Sequence, residues 1–133
     1  MNKLEAVVKQ FNSSVDRLKE VLDQEKNAFM RDSAIKRFEF TFDLSWKVVK
    51  AFMEENKGVI CKSPKECFRE AYKQGFIAYD DFWIEMADLR NKTAHTYKEQ
   101  IAEEVYAVLP KTLAYFQKIL ESVNKERTDG KDS

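Results

Sequence analysis

Apolar residues in the first half of the chain recur at steps of three and four, and that spacing decides the fold class. From about Lys3 to Asp23 they fall at Leu4, Val7, Val8, Phe11, Val15, Leu18, Val21 and Leu22, a narrow stripe along one face of a helix. The polar run Gln24 to Asn27 breaks it. The next stretch, about Arg31 to Asn56, offers two rhythms. Phe38, Phe40 and Phe42 alternate as in a strand, but Ile35, Phe38, Phe42, Trp46, Val49 and Met53 continue at three and four, which only a helix explains. Phe40, Leu44, Val48 and Phe52 form a second stripe beside the first. Lys36, Glu39, Asp43, Lys47, Lys50 and Glu54 gather on the polar face that is left, which reads as solvated. A helix this widely apolar belongs at the centre of a bundle, or is shared between the core and an oligomer interface. Gly58 is well suited to end it.

The second half is punctuated by stronger local signals. Ser63 can cap a helix, Pro64 suits its first turn and Glu66 completes a capping box. That helix is short, ends at Gly75, and turns Cys67, Phe68, Ala71 and Tyr72 inward. Asp80 or Asp81 can cap the next one, which carries Phe82, Trp83, Met86 and Leu89 and delivers Arg90. Trp46 and Trp83 read as core or interface anchors. The last helix runs from about Ile101 to Lys125 through Val105, Leu109, Thr112, Phe116, Leu120 and Val123, with a kink expected at Pro110. The expectation is an all-α, antiparallel up-and-down bundle of four long helices plus one short. Residues 1–123 form its single domain, and 124–133 a polar tail of disordered composition.

Composition narrows the function classes. A chain of 133 residues with three Gly and two Pro has the size of one domain and few tight turns. Lys+Arg and Asp+Glu both total 23, which argues against a general nucleic-acid coat yet leaves room for a local phosphate site. Cys61 and Cys67 make no disulfide framework and read as a loop thiol and a core residue. With one histidine they are too few for a structural zinc site, so neither metal nor cofactor is expected. No secretory leader pattern and no membrane-length apolar run is evident, so a cytoplasmic protein with no membrane partner is expected.

The stretch Arg90-Asn91-Lys92-Thr93-Ala94-His95-Thr96-Tyr97 is the one constellation that could be chemistry. It holds the only histidine, a side chain able to take and give protons near neutral pH. Arg90 offers a planar fork for phosphate, and Tyr97 offers a phenol. In a continuing helix Arg90, Ala94 and Tyr97 would share a face while His95 pointed away, so the helix must end here or a second copy must contribute. A plainer reading of the same residues has His95 capping a helix or pairing with Asn91, and Tyr97 covering the bundle end.

A family resemblance rests on Phe38-Glu39 with Phe42 and Trp46, Ser63-Pro64, Arg69-Glu70-Ala71, Gly75-Phe76-Ile77, Trp83, Met86, and Arg90-Asn91 with Thr93, His95 and Tyr97. Together these resemble the nucleotidyltransferase substrate-binding subunit family of the HEPN superfamily, over nearly the whole chain. The resemblance implies a HEPN-like, homodimeric helix bundle that partners a minimal nucleotidyltransferase. It also implies a toxin–antitoxin role, in which the bundle is a metal-independent ribonuclease with Arg90 and His95 as catalytic residues at the dimer interface. Arg90, Asn91 and Lys92 would then bind the phosphate of RNA or a nucleotide, and Tyr97 would be the acceptor when the partner silences the toxin by AMPylation. The alternative is a non-catalytic subunit that presents a nucleotide or other substrate to the nucleotidyltransferase. A plain dimeric scaffold is a third possibility.

Overall fold

Burying the stripe of the first helix against the broad apolar face of the second builds this fold. The computed structural model describes residues 2–132, the last six of them by backbone alone. Five helices follow in order: α1 (Lys3–Leu22), α2 (Ala28–Phe52), α3 (Pro64–Lys73), α4 (Phe82–Lys92) and α5 (Glu99–Asp132). No strand occurs among the described residues. α1, α2 and α5 carry the bundle, at 20, 25 and 34 residues. α3 and α4, at 10 and 11 residues, pack on α2 and on each other. α1 and α2 run antiparallel, with Ser14 hydrogen-bonded to Thr41 and Arg37 donating to the carbonyl of Arg17.

The helix ends follow from their residues. Asn2 and Asn27 accept from the third amide of α1 and α2, Glu5 and Met30, each at 2.8 Å. Ser63 does the same for α3, accepting from the Glu66 amide at 3.3 Å. Glu66 reaches back to the Lys62 amide at 3.0 Å, one residue outside a capping box. Asp80 accepts from the Phe82 amide and so caps α4, whereas Asp81 makes no capping bond. α2 runs into a π-helical turn, Met53–Lys57, which Gly58 closes with a left-handed φ of 64°. α5 passes through Pro110 as one helix, and its backbone carries the polar end from Asn124 as far as Asp132.

The core is aromatic. Phe38 lies within 6.2 Å of Phe42 and 6.1 Å of Phe116, Phe116 meets Phe11 edge-on, and Phe68 stacks on Trp83. Phe40 is 50% exposed while Phe38 and Phe42 are buried, so the helical rhythm wins over the alternation. Trp46 and Leu44 are only partly buried.

Two expectations are corrected. Tyr72 does not face inward: it is half-exposed and meets Tyr79 edge-on at 5.2 Å, because the core face of this short helix is filled by Cys67, Phe68 and Ala71. Cys61 and Cys67 are not a loop thiol and a separate core residue. They form a disulfide and both are fully buried. Cys67 is the fourth residue of α3, and side chains there lean back toward the helix start, over the segment leading in. Cys67 holds the N4 place of a hydrophobic staple, and its partner Cys61 lies one residue before the usual N′ place, with Cα atoms 5.2 Å apart.

The helical register of α2 makes a direct stability prediction. Phe38→Ala is expected to cost about 3–5 kcal/mol in urea unfolding, and Phe40→Ala under about 1 kcal/mol. Equal losses would contradict the register.

Candidate functional site

The stretch after α4 is held at both ends by α2. On the near side, Arg90 in the last turn of α4 clasps Asp43 of α2 in a fork, Nε to Oδ1 at 3.1 Å and Nη2 to Oδ2 at 3.2 Å. Its Nη1 donates to the hydroxyl of Thr93 at 3.1 Å, and that hydroxyl donates to the Arg90 carbonyl at 2.6 Å. On the far side, Arg31 at the start of α2 is buried and pairs with Glu99 and Glu103 in the first turns of α5, and with Asp32. Lys26 joins Glu103. The carboxylates raise the pKa of the Arg31 guanidinium against the pull of burial; in return Arg31 lowers the pKa of Glu99, and Lys26 first and Arg31 second lower that of Glu103. Arg31 and Asp43 stand about 18 Å apart along the α2 axis.

Between these anchors the helix ends. Thr93–His95 is a single 3-10 turn, with the Thr96 amide bonded to the Thr93 carbonyl. Thr93 is buried, and His95 and Tyr97 are exposed, Tyr97 at 77%. Their rings meet edge-on at 6.2 Å, and the Lys98 ammonium lies 5.9 Å from the Tyr97 ring centre. Neither the His95 ring nor the Tyr97 hydroxyl has a hydrogen-bond partner among the described residues.

An open groove of about 500 Å³ runs along the Arg90 side of the turn, lined by Phe42, Asp43, Trp46, Ser63–Lys65, Ala87, Arg90, Asn91 and Ala94. The expected site residues therefore divide. Arg90 and Asn91 line the groove, and His95 and Tyr97 stand past it on the exposed turn. Lys92 faces α5 and is bound to Glu104 at 2.7 Å, which lowers the Glu104 pKa. Among the described residues no group of three or more His, Cys, Asp or Glu is placed to hold a metal ion.

The arrangement suits an anion. A guanidinium has five N–H donors, and three are committed to Asp43 and Thr93. Two remain, on a side chain 30% exposed at the groove wall. The hydrogen bonds and charge of Asp43 raise the Arg90 pKa further, although burial opposes this. Asp43 also fixes the plane of the fork, so Arg90 meets a ligand already oriented. Asp43 was invisible as a site residue in the sequence, where it sits in a regular polar face. Its one distinguishing mark is that it lies between Phe42 and Leu44 on the helix richest in apolar residues. Nothing in spacing pointed to Arg31, and Thr93 stood in the sequence only as a landmark of the family resemblance.

A small all-helical domain that presents a tethered arginine, an exposed histidine and an exposed tyrosine beside an open groove is, by class, a helical binding module. The family model described as nucleotidyltransferase substrate binding protein like matches residues 1–125, and the chain belongs to that family. It is 31% identical over 96 residues to a Haemophilus influenzae protein named probable ribonuclease HepT, covering 69% of this chain and 66% of that one. A crystal structure from Thermus thermophilus superposes with a TM-score of 0.79 at 32% identity, covering 84% of this chain and 96% of that one. A Haemophilus influenzae structure, described as revealing the fold of a substrate binding domain of a nucleotidyltransferase, has a TM-score of 0.67 at 26% identity. It covers 91% of this chain and 96% of that one. No described helix is long and apolar enough to cross a membrane.

Proposed function

We propose that this protein is the HEPN-type, RNA-binding partner of a minimal nucleotidyltransferase and the toxin half of the pair, a metal-independent ribonuclease. The observation that carries this reading is the 3-10 turn at Thr93–His95. It ends α4 at this point, and it leaves an exposed imidazole with no hydrogen-bond partner among the described residues, five residues after an arginine with two uncommitted donors. The name of the Haemophilus influenzae relative agrees with it.

The chemistry follows from these groups. His95 takes the proton of a ribose 2′-hydroxyl, and the freed oxygen attacks the adjacent phosphorus. The two free N–H groups of Arg90 meet the charge that grows on the phosphoryl oxygens. The bond to the 5′-oxygen breaks, and that oxygen leaves with a proton from water or from a second protonated histidine. The products are a 2′,3′-cyclic phosphate and a 5′-hydroxyl end. A homodimer supplies the second histidine if its two-fold axis passes near the exposed turn, since symmetry then brings two copies of Arg90 and His95 together.

One observation favours a second reading. Arg90 faces a groove of nucleotide size, and His95 is not among the residues lining it. A subunit that holds a nucleotide for the nucleotidyltransferase needs the groove and not the imidazole.

RNA cleavage is expected to survive EDTA, to fall by about 10²–10⁴ in His95→Ala, and to weaken in Arg90→Lys with the helical circular dichroism unchanged. Cleavage that needs added divalent metal, or persists in His95→Ala, contradicts the ribonuclease reading and favours the second.

Tyr97 is the acceptor in the regulatory half of the proposal. The phenol gives its proton to a base of the partner, its oxygen attacks the α-phosphorus of the ATP held there, and the bond to the leaving pyrophosphate breaks. The new phosphate lies on the turn between Arg90 and Lys98, where it competes with RNA for cationic donors. With ATP, magnesium and the cognate nucleotidyltransferase, intact mass should rise by one or more AMP units in the wild type and stay constant in Tyr97→Phe. An equal gain in both removes Tyr97 from the mechanism.

A further inference from the structure

A second groove, about 650 Å³ in volume, lies on the other side of Asp43 from the Arg90 groove. It runs between the outer shoulders of α1 and α2, and Asp43 lines both. α1 contributes Lys9 and Arg17, and α2 contributes Arg37, Phe40 and Lys47. The helices are antiparallel, in the register set by the Ser14–Thr41 bond and by Arg37 donating to the Arg17 carbonyl at 2.7 Å. That register sets Arg17 beside Arg37 at one end and Lys9 near Lys47 at the other, about 12–15 Å apart along the axes. Among the described residues, none of these four cations pairs with a carboxylate. The one carboxylate lining the groove, Asp43, is committed to Arg90. In a chain of formal net charge zero, this is a local concentration of unpaired positive charge. Between the two cationic ends, Phe40 stands half-exposed where a core residue would be covered.

We infer that this groove is a track for single-stranded RNA, which carries the phosphodiester backbone past Asp43 to Arg90. The inference rests on the RNA reading of the site and adds the form of the substrate: a single strand extending several nucleotides to one side of the reacting phosphate. Two pairs of cations separated along a groove match a run of backbone phosphates, and an exposed aromatic ring between them offers a face on which a base can stack. The positive ends lie on helix shoulders and not in a closed pocket, which suits a chain passing through more than a mononucleotide. A second copy of this protein fits less well. An isologous contact centred on the groove would set the four cations of one protomer against the same four of the other, with each Asp43 already committed.

The test is binding, so that it stands apart from cleavage. The probe is a fluorescein-labelled, 2′-O-methylated single-stranded oligouridylate of about twelve nucleotides, which cannot form the 2′-oxyanion, followed by anisotropy across a salt series. The wild type is expected to bind it more tightly than a labelled dinucleotide. Lys9→Glu/Arg17→Glu should weaken binding about tenfold or more and flatten the salt slope by about one to two, while Lys9→Arg/Arg17→Lys stays near wild type. Phe40→Ala should weaken binding by about fivefold or more without changing the slope. Circular dichroism melts check that these exposed substitutions leave the bundle folded. The inference is overturned if wild type and charge-reversed protein bind alike, or if the oligonucleotide does not bind. It is also overturned if the reversal turns a dimer into a monomer by light scattering, which assigns the groove to contact between copies. Binding as expected with no cleavage of ordinary RNA keeps the track and removes the ribonuclease reading.

Discussion

The fork between Arg90 and Asp43 is the contact on which the candidate site depends. It joins the last turn of α4 to the middle of α2 across a partly open surface, and Asp43 is 43% exposed. A pair this exposed adds only about 1 kcal/mol or less to stability, because water screens it in the folded state and solvates it in the unfolded one. Its consequence is geometric. The guanidinium cannot rotate freely, three donors are occupied, and two remain uncommitted on a side chain that lines the groove. Thr93 closes the arrangement by bonding both the side chain and the carbonyl of Arg90, so the residue that ends the helix also holds the arginine.

α2 therefore acts as the frame of the turn. It is the helix that needs most cover, and α1, α5 and the short pair α3 and α4 all pack on it. From that central position it grips α4 through Asp43 and the start of α5 through Arg31. The stretch from Lys92 to Lys98 only has to bridge two anchors on one rigid rod. That is why a 3-10 turn with an exposed histidine and tyrosine can be presented without a loop of glycines. The Cys61–Cys67 bond stiffens the neighbouring wall in a similar way, since Ser63, Pro64 and Lys65 lie between the two cysteines and line the Arg90 groove.

The fold was largely legible in the sequence because burial here follows helical periodicity. The stripe from Leu4 to Val21, the inward set Phe38, Phe42 and Val49, and the caps at Ser63 and Asp80 are where the spacing puts them. Tyr72 was misread because periodicity says which face turns inward but not how far a short helix is covered. The disulfide was missed because two cysteines six apart are as compatible with free thiols as with a bond, until the cap at Ser63 fixes the direction in which Cys67 leans. In the site, the motif from Arg90 to Tyr97 stood out by residue type alone. Its partners did not. Asp43 and Arg31 are each one charge among many, and they are singled out only by what lies opposite them in the folded bundle. The two basic shoulders of the α1–α2 groove were also hidden, since net charge averages them away and only antiparallel packing brings them together.

The central claim is that Asp43 acts through Arg90 to hold an arginine for phosphate. A double-mutant cycle on RNA cleavage, with kcat/KM measured for wild type, Asp43→Ala, Arg90→Ala and the double variant, tests it most directly. If Asp43 works by orienting Arg90, its removal slows the wild type but changes little once Arg90 is gone, and the two losses fall well short of additive. Additive losses, or a loss in Asp43→Ala as large without Arg90 as with it, would contradict the account.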